Sequence, residues 1–338
     1  MSLISKLFDQ KSTPLVTELT SRMEEVECLL REAVQVDDLV VDEATSHLAK
    51  AGGKRLRPAL CLLTAQLGPR PADKDVLDSA VVVELTHLAT LYHDDVMDEA
   101  PLRRGVPTAQ YVYGNSSAIL AGDVLFARAS GIVAKLGPEA VLLHAETFER
   151  LCMGQLHETI GPRDGEDPIE HHIQVLADKT GSLIAASGRY GVLYSGGDPK
   201  LADDIAQFGE KVGVAFQIAD DVIDLVSDPE VTGKTPGTDL LEGVPTMPTL
   251  LLRQRAQHGT LDEAGKRILT YLDERDLSEG DNLATVVSML REHSVVEETR
   301  QLAHQWVDDA LKHLDFVSQR KVKKGLEMFA QAMVDRLA

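Results

Sequence analysis

Aromatic side chains are scarce, at 4% of 338 residues with a single Trp. Sandwiches and barrels draw on aromatic and β-branched strands, so this scarcity, beside plentiful Ala, Leu and Val, favours helices. Cysteine is scarcer still. Cys28, Cys61 and Cys152 are far apart and odd in number, which fits neither a disulfide framework nor a zinc pattern. Positive charge is in deficit: 34 Lys and Arg stand against 54 Asp and Glu, a net charge of −20. Such a surface repels nucleic acid and anionic lipid and excludes both as general partners. No segment is read as approaching the ~20 apolar residues of a membrane span. The N-terminal MSLISKLFDQKS has neither a long apolar stretch nor a small-residue cleavage site, so a cytoplasmic location is expected. What is present is ordinary for a soluble chain: 43% hydrophobic and 26% charged residues, ample for a large core.

Helical periodicity runs through most of the chain. It predicts one or two helices over 14–50, then helices over 58–67, 75–99, 116–135, 138–160, 169–195 and 200–227, with further helices from 246 onward. Loops are predicted at 161–168, 195–199 and 227–245. The last is long enough to suggest a functional lid. Sustained period-two alternation is missing, and no linker divides the chain. The reading is one all-α domain over 1–338, a bundle of roughly ten or more helices.

Two carboxylate clusters stand out. Asp94-Asp95-Val96-Met97-Asp98 closes a helix that is apolar nearly all round, from Val81 to Met97. Such a helix belongs in the core. Asp94 and Asp98 are four residues apart and share a face, with Thr90 and His87 further back on the same line. The second cluster, Asp220-Asp221-Val222-Ile223-Asp224, lies with Gln217 beside an apolar stripe of Ile205, Phe208, Val212, Phe216, Ala219 and Ile223. Carboxylates crowded against a core are costly unless a cation compensates them. Hard oxygen ligands in a partly hydrated setting suit Mg²⁺, and Mg²⁺ held this way can grip a diphosphate. A solvated acidic face would explain one such cluster, but two on core-like helices are harder to dismiss.

Cations cluster as well. Gly52-Gly53-Lys54-Arg55-Leu56-Arg57-Pro58 puts three positive side chains within four residues, behind two glycines that permit close backbone approach. Arg103-Arg104 follows the first Asp cluster, Lys179-Thr180 lies within an apolar helix, and Lys234 lies in GKTPGTD after the second cluster. Arg forks and Lys point charges both suit phosphate oxygens. A basic loop paired with surface acids is the plainer alternative for each alone, and a satisfied core histidine is the plainer one for His87. The spacing of GKTPG does not match a P-loop, which excludes a nucleoside triphosphatase of that kind.

GGKRLRP, HLATLYHDDVMD, LRRG, KT, FQIADDVIDLVSD and GKTPGTDL together resemble the trans-polyprenyl diphosphate synthase family in order and spacing. The resemblance implies the isoprenoid synthase fold, with helices around a central cavity across which the two Asp-rich helices face each other, usually in a homodimer. It implies Mg²⁺ on Asp94, Asp95, Asp98 and Asp220, about two or three ions per site, with Asp221 and Asp224 in the second patch. It implies that Arg103, Lys179, Thr180, Gln217 and Lys234 hold the allylic diphosphate. Lys54, Arg57, His87 and Arg104 would hold isopentenyl diphosphate, with Arg55 nearby. The implied reaction ionises the allylic diphosphate, joins the resulting cation to the isopentenyl double bond and then loses a proton.

By the same resemblance, the growing chain runs alongside the helix before Asp94, where bulky aromatics in the family stop growth early. Here Ala89 and Thr90 are small, and the turns behind them carry Leu85, Thr86, Val81 and Val82. At ~1.5 Å of rise per residue, three or four residues match about one isoprene unit, so a product of about six to ten units, of the quinone-tail type, is expected. Phe126 and Phe148 are candidates for the floor. So apolar a product implies transient membrane contact on release. Alternatives are a shorter-product geranylgeranyl or farnesyl diphosphate synthase, a terpene cyclase, a non-catalytic subunit of a heteromeric synthase, or an acidic metal-binding scaffold. The DDVID second motif and the few aromatics argue against a cyclase, the retained Asp and cationic positions against a silent subunit, and GGKRLRP with LRRG in register against a scaffold.

Overall fold

A computed structural model describes residues 13–227 and 235–335. It resolves two compact units, each assembled from separate stretches of chain. The first takes residues 1–149, 182–209 and 313–329, and the second takes 150–181, 210–312 and 330–338.

In the first unit, α1 (Pro14–Val34) starts where Thr13 accepts the Val16 N–H and Pro14 occupies the first turn, a start that supplies a cap and needs no donor from the proline. Helix α2 (Leu39–Lys50) follows, then α3 (Leu56–Ala65) and α4 (Lys74–Met97). Asp73 caps α4, and residues on every side of that helix are buried from Val76 to Tyr92, as its sequence predicts. Tyr92 pins α2 to α4: its hydroxyl donates to the Ala44 carbonyl at 2.6 Å and accepts from the Leu48 N–H at 3.2 Å.

A two-residue hairpin, β1 (Leu102–Arg103) with β2 (Val106–Pro107), follows α4. Sequence periodicity misses it because two residues cannot display alternation. Its turn residues Arg104 and Gly105 both have positive φ, 55° and 79°, the twist that tight hairpins favour. Next come α5 (Ala109–Tyr113), α6 (Asn115–Leu136) and α7 (Pro138–Ile160). Helix α6 corrects one expectation, because by length and composition it is apolar enough to cross a membrane, with a third of its apolar window buried.

In the second unit, Asp167 caps α8 (Pro168–Leu176), and the helix then widens into a π-turn, Ala177–Gly181. The helix predicted over 169–195 is therefore interrupted. Beyond the π-turn, α9 (Ser182–Tyr194) belongs to the first unit, and α10 (Pro199–Val226) begins in the first unit and enters the second at Glu210. After a short α11 (Thr238–Leu241), helices α12 (Met247–Gln257), α13 (Glu263–Glu274), α14 (Asn282–Glu292) and α15 (Ser294–Leu311) follow in the second unit, and most of α16 (Arg320–Val334), as far as Phe329, belongs to the first. Val222 and Leu225 of α10 share an apolar core with Leu240, Leu252, Ile268, Val286, Leu290 and Val295. That core fixes the C-terminal end of α10, where the second Asp cluster lies.

Candidate active site

In the first unit, three stretches distant in sequence meet. Arg55 begins the assembly. It adopts a left-handed conformation, φ 52°, just before α3, unusual for a residue with a side chain. Its guanidinium is only 6% exposed. It donates to Glu27 of α1 at 2.6 Å, to Glu84 of α4 at 2.8 Å and to the Ala49 carbonyl at 3.3 Å. Glu84 is 2% exposed, so the pair is a buried, hydrogen-bonded ion pair. It holds the GGKRLRP turn against α4.

The turn is then within reach of the hairpin. Arg104 donates to the Gly52 and Leu48 carbonyls. A Cβ at Gly53, whose φ is +153°, would lie 2.9 Å from the Arg104 guanidinium carbon. The backbone conformation therefore favours glycine there, and a side chain would also displace the Arg104 guanidinium. Arg57 feels Arg104 as a like charge and Glu84 and Asp94 as opposite ones, and burial pushes its guanidinium down to about 10. Its Nε is buried without a hydrogen-bond partner. Burial first, then Arg57, Arg104 and Arg103, hold His87 well below the usual imidazole range. Burial and the field of these guanidinium groups thus favour the neutral form of His87. Packing cations together and leaving a buried N–H unsatisfied is costly unless an anion completes the arrangement.

The first Asp cluster borders these cations. Asp95, more than Asp94 or Asp98, is the buried member, at 1% exposure. One of its oxygens accepts both Nε and Nη2 of Arg103, at 2.7 and 2.6 Å. The other oxygen is buried without a partner. Burial pushes the Asp95 carboxyl up and Arg103 opposes that shift. Asp94 is half-buried and Asp98 exposed. The helix ends between them, with the Asp98 N–H bonded to the Asp94 carbonyl. Lys54 is exposed on the GGKRLRP turn. Ala89 is fully buried, and the half-buried Thr90 donates its hydroxyl to the His87 carbonyl. Phe126 and Phe148 stack at 4.2 Å between ring centres, and His93 lies 5.8 Å from Phe126.

In the second unit, Asp220, Asp221, Asp224 and Gln217 lie on the C-terminal half of α10. Asp221 is buried and already engaged, accepting from the Met247 N–H at 2.8 Å and facing His172 Nε2 at 3.3 Å. Asp224 receives the 235–239 segment, its carbonyl accepting the Gly237 N–H at 2.9 Å and its carboxylate the Asp239 N–H at 3.4 Å. Lys179 and Thr180 occupy the π-turn, where the Lys179 ammonium meets Glu158 at 2.5 Å. Lys234 lies outside the described residues. Glu84, Glu158, Arg150 and His172 are site neighbours that sequence reasoning missed. Glu84 had a signal, an acid set directly among Val81, Val82, Val83 and Leu85.

Among the described residues no three Asp, Glu, His or Cys side chains are gathered closely enough to hold a metal by themselves. That suits Mg²⁺, which usually takes one or two carboxylates and completes its shell with water and substrate phosphate. The orphaned Asp95 oxygen and the all-carboxylate donor set fit such an ion.

A family model described as Polyprenyl synthetase matches residues 38–290. The nonaprenyl diphosphate synthase of Mycobacterium tuberculosis (strain ATCC 25618 / H37Rv) is 50% identical over 225 residues, 67% of each chain. Component 2 of the heptaprenyl diphosphate synthase of Geobacillus stearothermophilus is 36% identical over 299 residues, 88% of this chain and 90% of that one. Among solved structures, the geranylgeranyl pyrophosphate synthase of Corynebacterium glutamicum, complexed with calcium and isoprenyl diphosphate, superposes with a TM-score of 0.84 at 38% identity, over 97% of this chain and 99% of that one. With six motifs in register, an all-α architecture and a family match across most of its length, this chain belongs to the polyprenyl synthetase family.

Proposed function

We propose that this chain is a trans-prenyltransferase that extends an allylic diphosphate with isopentenyl diphosphate to a long all-trans polyprenyl diphosphate. One observation carries the reading. Arg57, Arg104 and Arg103 all act as like charges on His87, which shares a helix with Asp94 and Asp95, and a buried Arg57 N–H and a buried Asp95 oxygen both lack hydrogen-bond partners. A diphosphate with Mg²⁺ would answer both deficits at once.

Lys54, Arg57, His87 and Arg104 hold isopentenyl diphosphate. The neutral His87 contributes a ring N–H, and the guanidinium groups contribute forks. Arg103, Lys179, Thr180, Gln217 and Lys234 hold the allylic diphosphate. Asp94, Asp95, Asp98 and Asp220 are the Mg²⁺ ligands, for about two or three ions, with Asp221 and Asp224 supporting them. Mg²⁺ supplies charge neutralisation for the departing pyrophosphate. The cationic side chains stabilise the same developing charge from fixed positions, which costs no reorganisation during ionisation. They also orient the isopentenyl double bond for attack. The buried apolar side chains of α4 keep water from the allylic cation, and the proton is lost to the departing pyrophosphate. The 235–239 segment anchored on Asp224 is part of a lid over this chemistry.

A product of about six to ten isoprene units is supported by the long-chain relatives and the small side chains at Ala89 and Thr90, and its quinone-tail use follows from that length. The chain works as one domain in a homodimer. Its subunit contact involves α6 and α7, which leave the large apolar side chains of Ile119, Leu120, Val141 and Leu142 exposed to water. The reaction is read as cytoplasmic, a reading that the charged substrates and the net charge of −20 support, with brief membrane contact when the product leaves. Incubation of the purified protein with farnesyl diphosphate, isopentenyl diphosphate and Mg²⁺, read by mass spectrometry, tests the reading. A silent subunit would give no turnover alone.

A further inference from the structure

The π-turn at Ala177–Gly181 asks what holds it. A π-turn carries one residue more than an α-turn and is the less stable winding, found mostly where function requires it. At 3.6 residues per turn, one added residue redirects the following side chains by about 100° relative to a continuous α-helix. Lys179 and Thr180 lie inside that turn, so their direction depends on its persistence.

Three observations converge on the clamp. Arg150 of α7 donates Nε to Asp178 Oδ1 at 2.7 Å and Nη1 to Glu210 Oε2 of α10 at 2.5 Å. The second oxygen of Asp178 accepts from Gln174 Nε2 of α8 at 2.8 Å. The backbone is held as closely. A Cβ at Gly154 would lie 2.7 Å from the Lys179 nitrogen and 3.0 Å from Asp178 Cβ, and one at Gly181 would lie 3.0 Å from the Glu210 carbonyl oxygen. Both sides of the turn are thus gripped, and Arg150 bonds to each grip. Charge-assisted forks of this kind are the stronger and more directional hydrogen bonds.

We propose that Arg150 is a positioning residue for the allylic diphosphate. By bridging Asp178 and Glu210 it holds the π-turn in the register that presents Lys179 and Thr180 to the substrate. Arg150 touches neither substrate. The proposal rests on the assignment of Lys179 and Thr180 to the allylic diphosphate, and the experiment separates the two.

Full-length R150M, R150K, D178N and K179A are compared with the wild type in the KM for farnesyl diphosphate, the KM for isopentenyl diphosphate, and hydrogen–deuterium exchange over residues 174–182. In R150M, exchange at the turn should speed at least about fivefold and the farnesyl diphosphate KM should rise about tenfold, while the isopentenyl diphosphate KM stays within about twofold. R150K keeps the charge without the fork and should recover part of both losses. D178N removes one arm of the bridge, should shift both readouts in the same direction, and serves if R150M does not fold. Unchanged exchange and unchanged farnesyl diphosphate KM in R150M or D178N would overturn the proposal. So would equal rises in both KM values, the mark of a merely structural role. A farnesyl diphosphate KM left unchanged by K179A would instead overturn the assignment of Lys179 itself. A raised value in K179A beside a wild-type-like R150M rejects the anchor alone.

Discussion

At the scale of single residues, the site is a set of charges held where water would rather have them. Arg57 is the sharpest case, because its buried Nε has no protein partner. Arg57→Met should raise the KM for isopentenyl diphosphate by tenfold or more, the worth of about 1.4 kcal/mol of lost charge-assisted bonding, as steady-state kinetics would read. His87 gives a pH signature. Its folded-state proton affinity is held below that of the unfolded chain by burial and the neighbouring guanidinium groups. The unfolded state therefore binds the proton first as pH falls. The stability His87 allows is full above an ordinary imidazole value of 6.5 and is lost progressively below it. His87→Gln should remove a loss of up to ~1.4 kcal/mol per pH unit in that window, seen by comparing urea unfolding of the two proteins at about pH 7 and about pH 5. Arg55 plays a structural part. Arg55→Met leaves Glu84 buried and unpaired and should cost about 3–5 kcal/mol in the same unfolding assay. Sequence spacing picked out the cations and the two Asp clusters as short stretches. It did not reveal that Asp95 is the buried acid. Which carboxylate turns inward depends on where α4 ends and on Arg103 arriving from the hairpin, and neither is visible in helical periodicity.

At the scale of elements, close approach decides what the sequence tolerates. Helices α4 and α6 pack so tightly at Gly122 that a Cβ there would lie 2.4 Å from His93 Nε2 and 3.1 Å from the Ala89 carbonyl oxygen. Gly122→Val should therefore destabilise the fold by about 1–3 kcal/mol through overpacking, measured as a lower urea midpoint with an unchanged slope. The exposed side of the same helix is proposed as the subunit contact. Leu120, 61% exposed, replaced by Glu should shift the protein from dimer to monomer in sedimentation velocity. Long periodic elements were legible in the sequence, and the span predicted for 138–160 is that of α7. The π-turn was not, because i→i+5 winding has no residue signature and is imposed by neighbours such as Gly154 and Arg150. The hairpin was too short to show a period.

At the scale of the whole molecule, we propose that product length follows from the space available to an apolar chain beside α4. Ala89→Phe should shorten the product by several isoprene units, and an unchanged length would remove α4 from the elongation path. The central claim is the reaction itself, and product analysis tests it most directly. Purified protein given farnesyl diphosphate, isopentenyl diphosphate and Mg²⁺ should yield linear all-trans polyprenyl diphosphates of about C30–C50, and none once the metal is chelated. Absence of any chain longer than farnesyl, or a cyclised hydrocarbon in its place, would contradict the account.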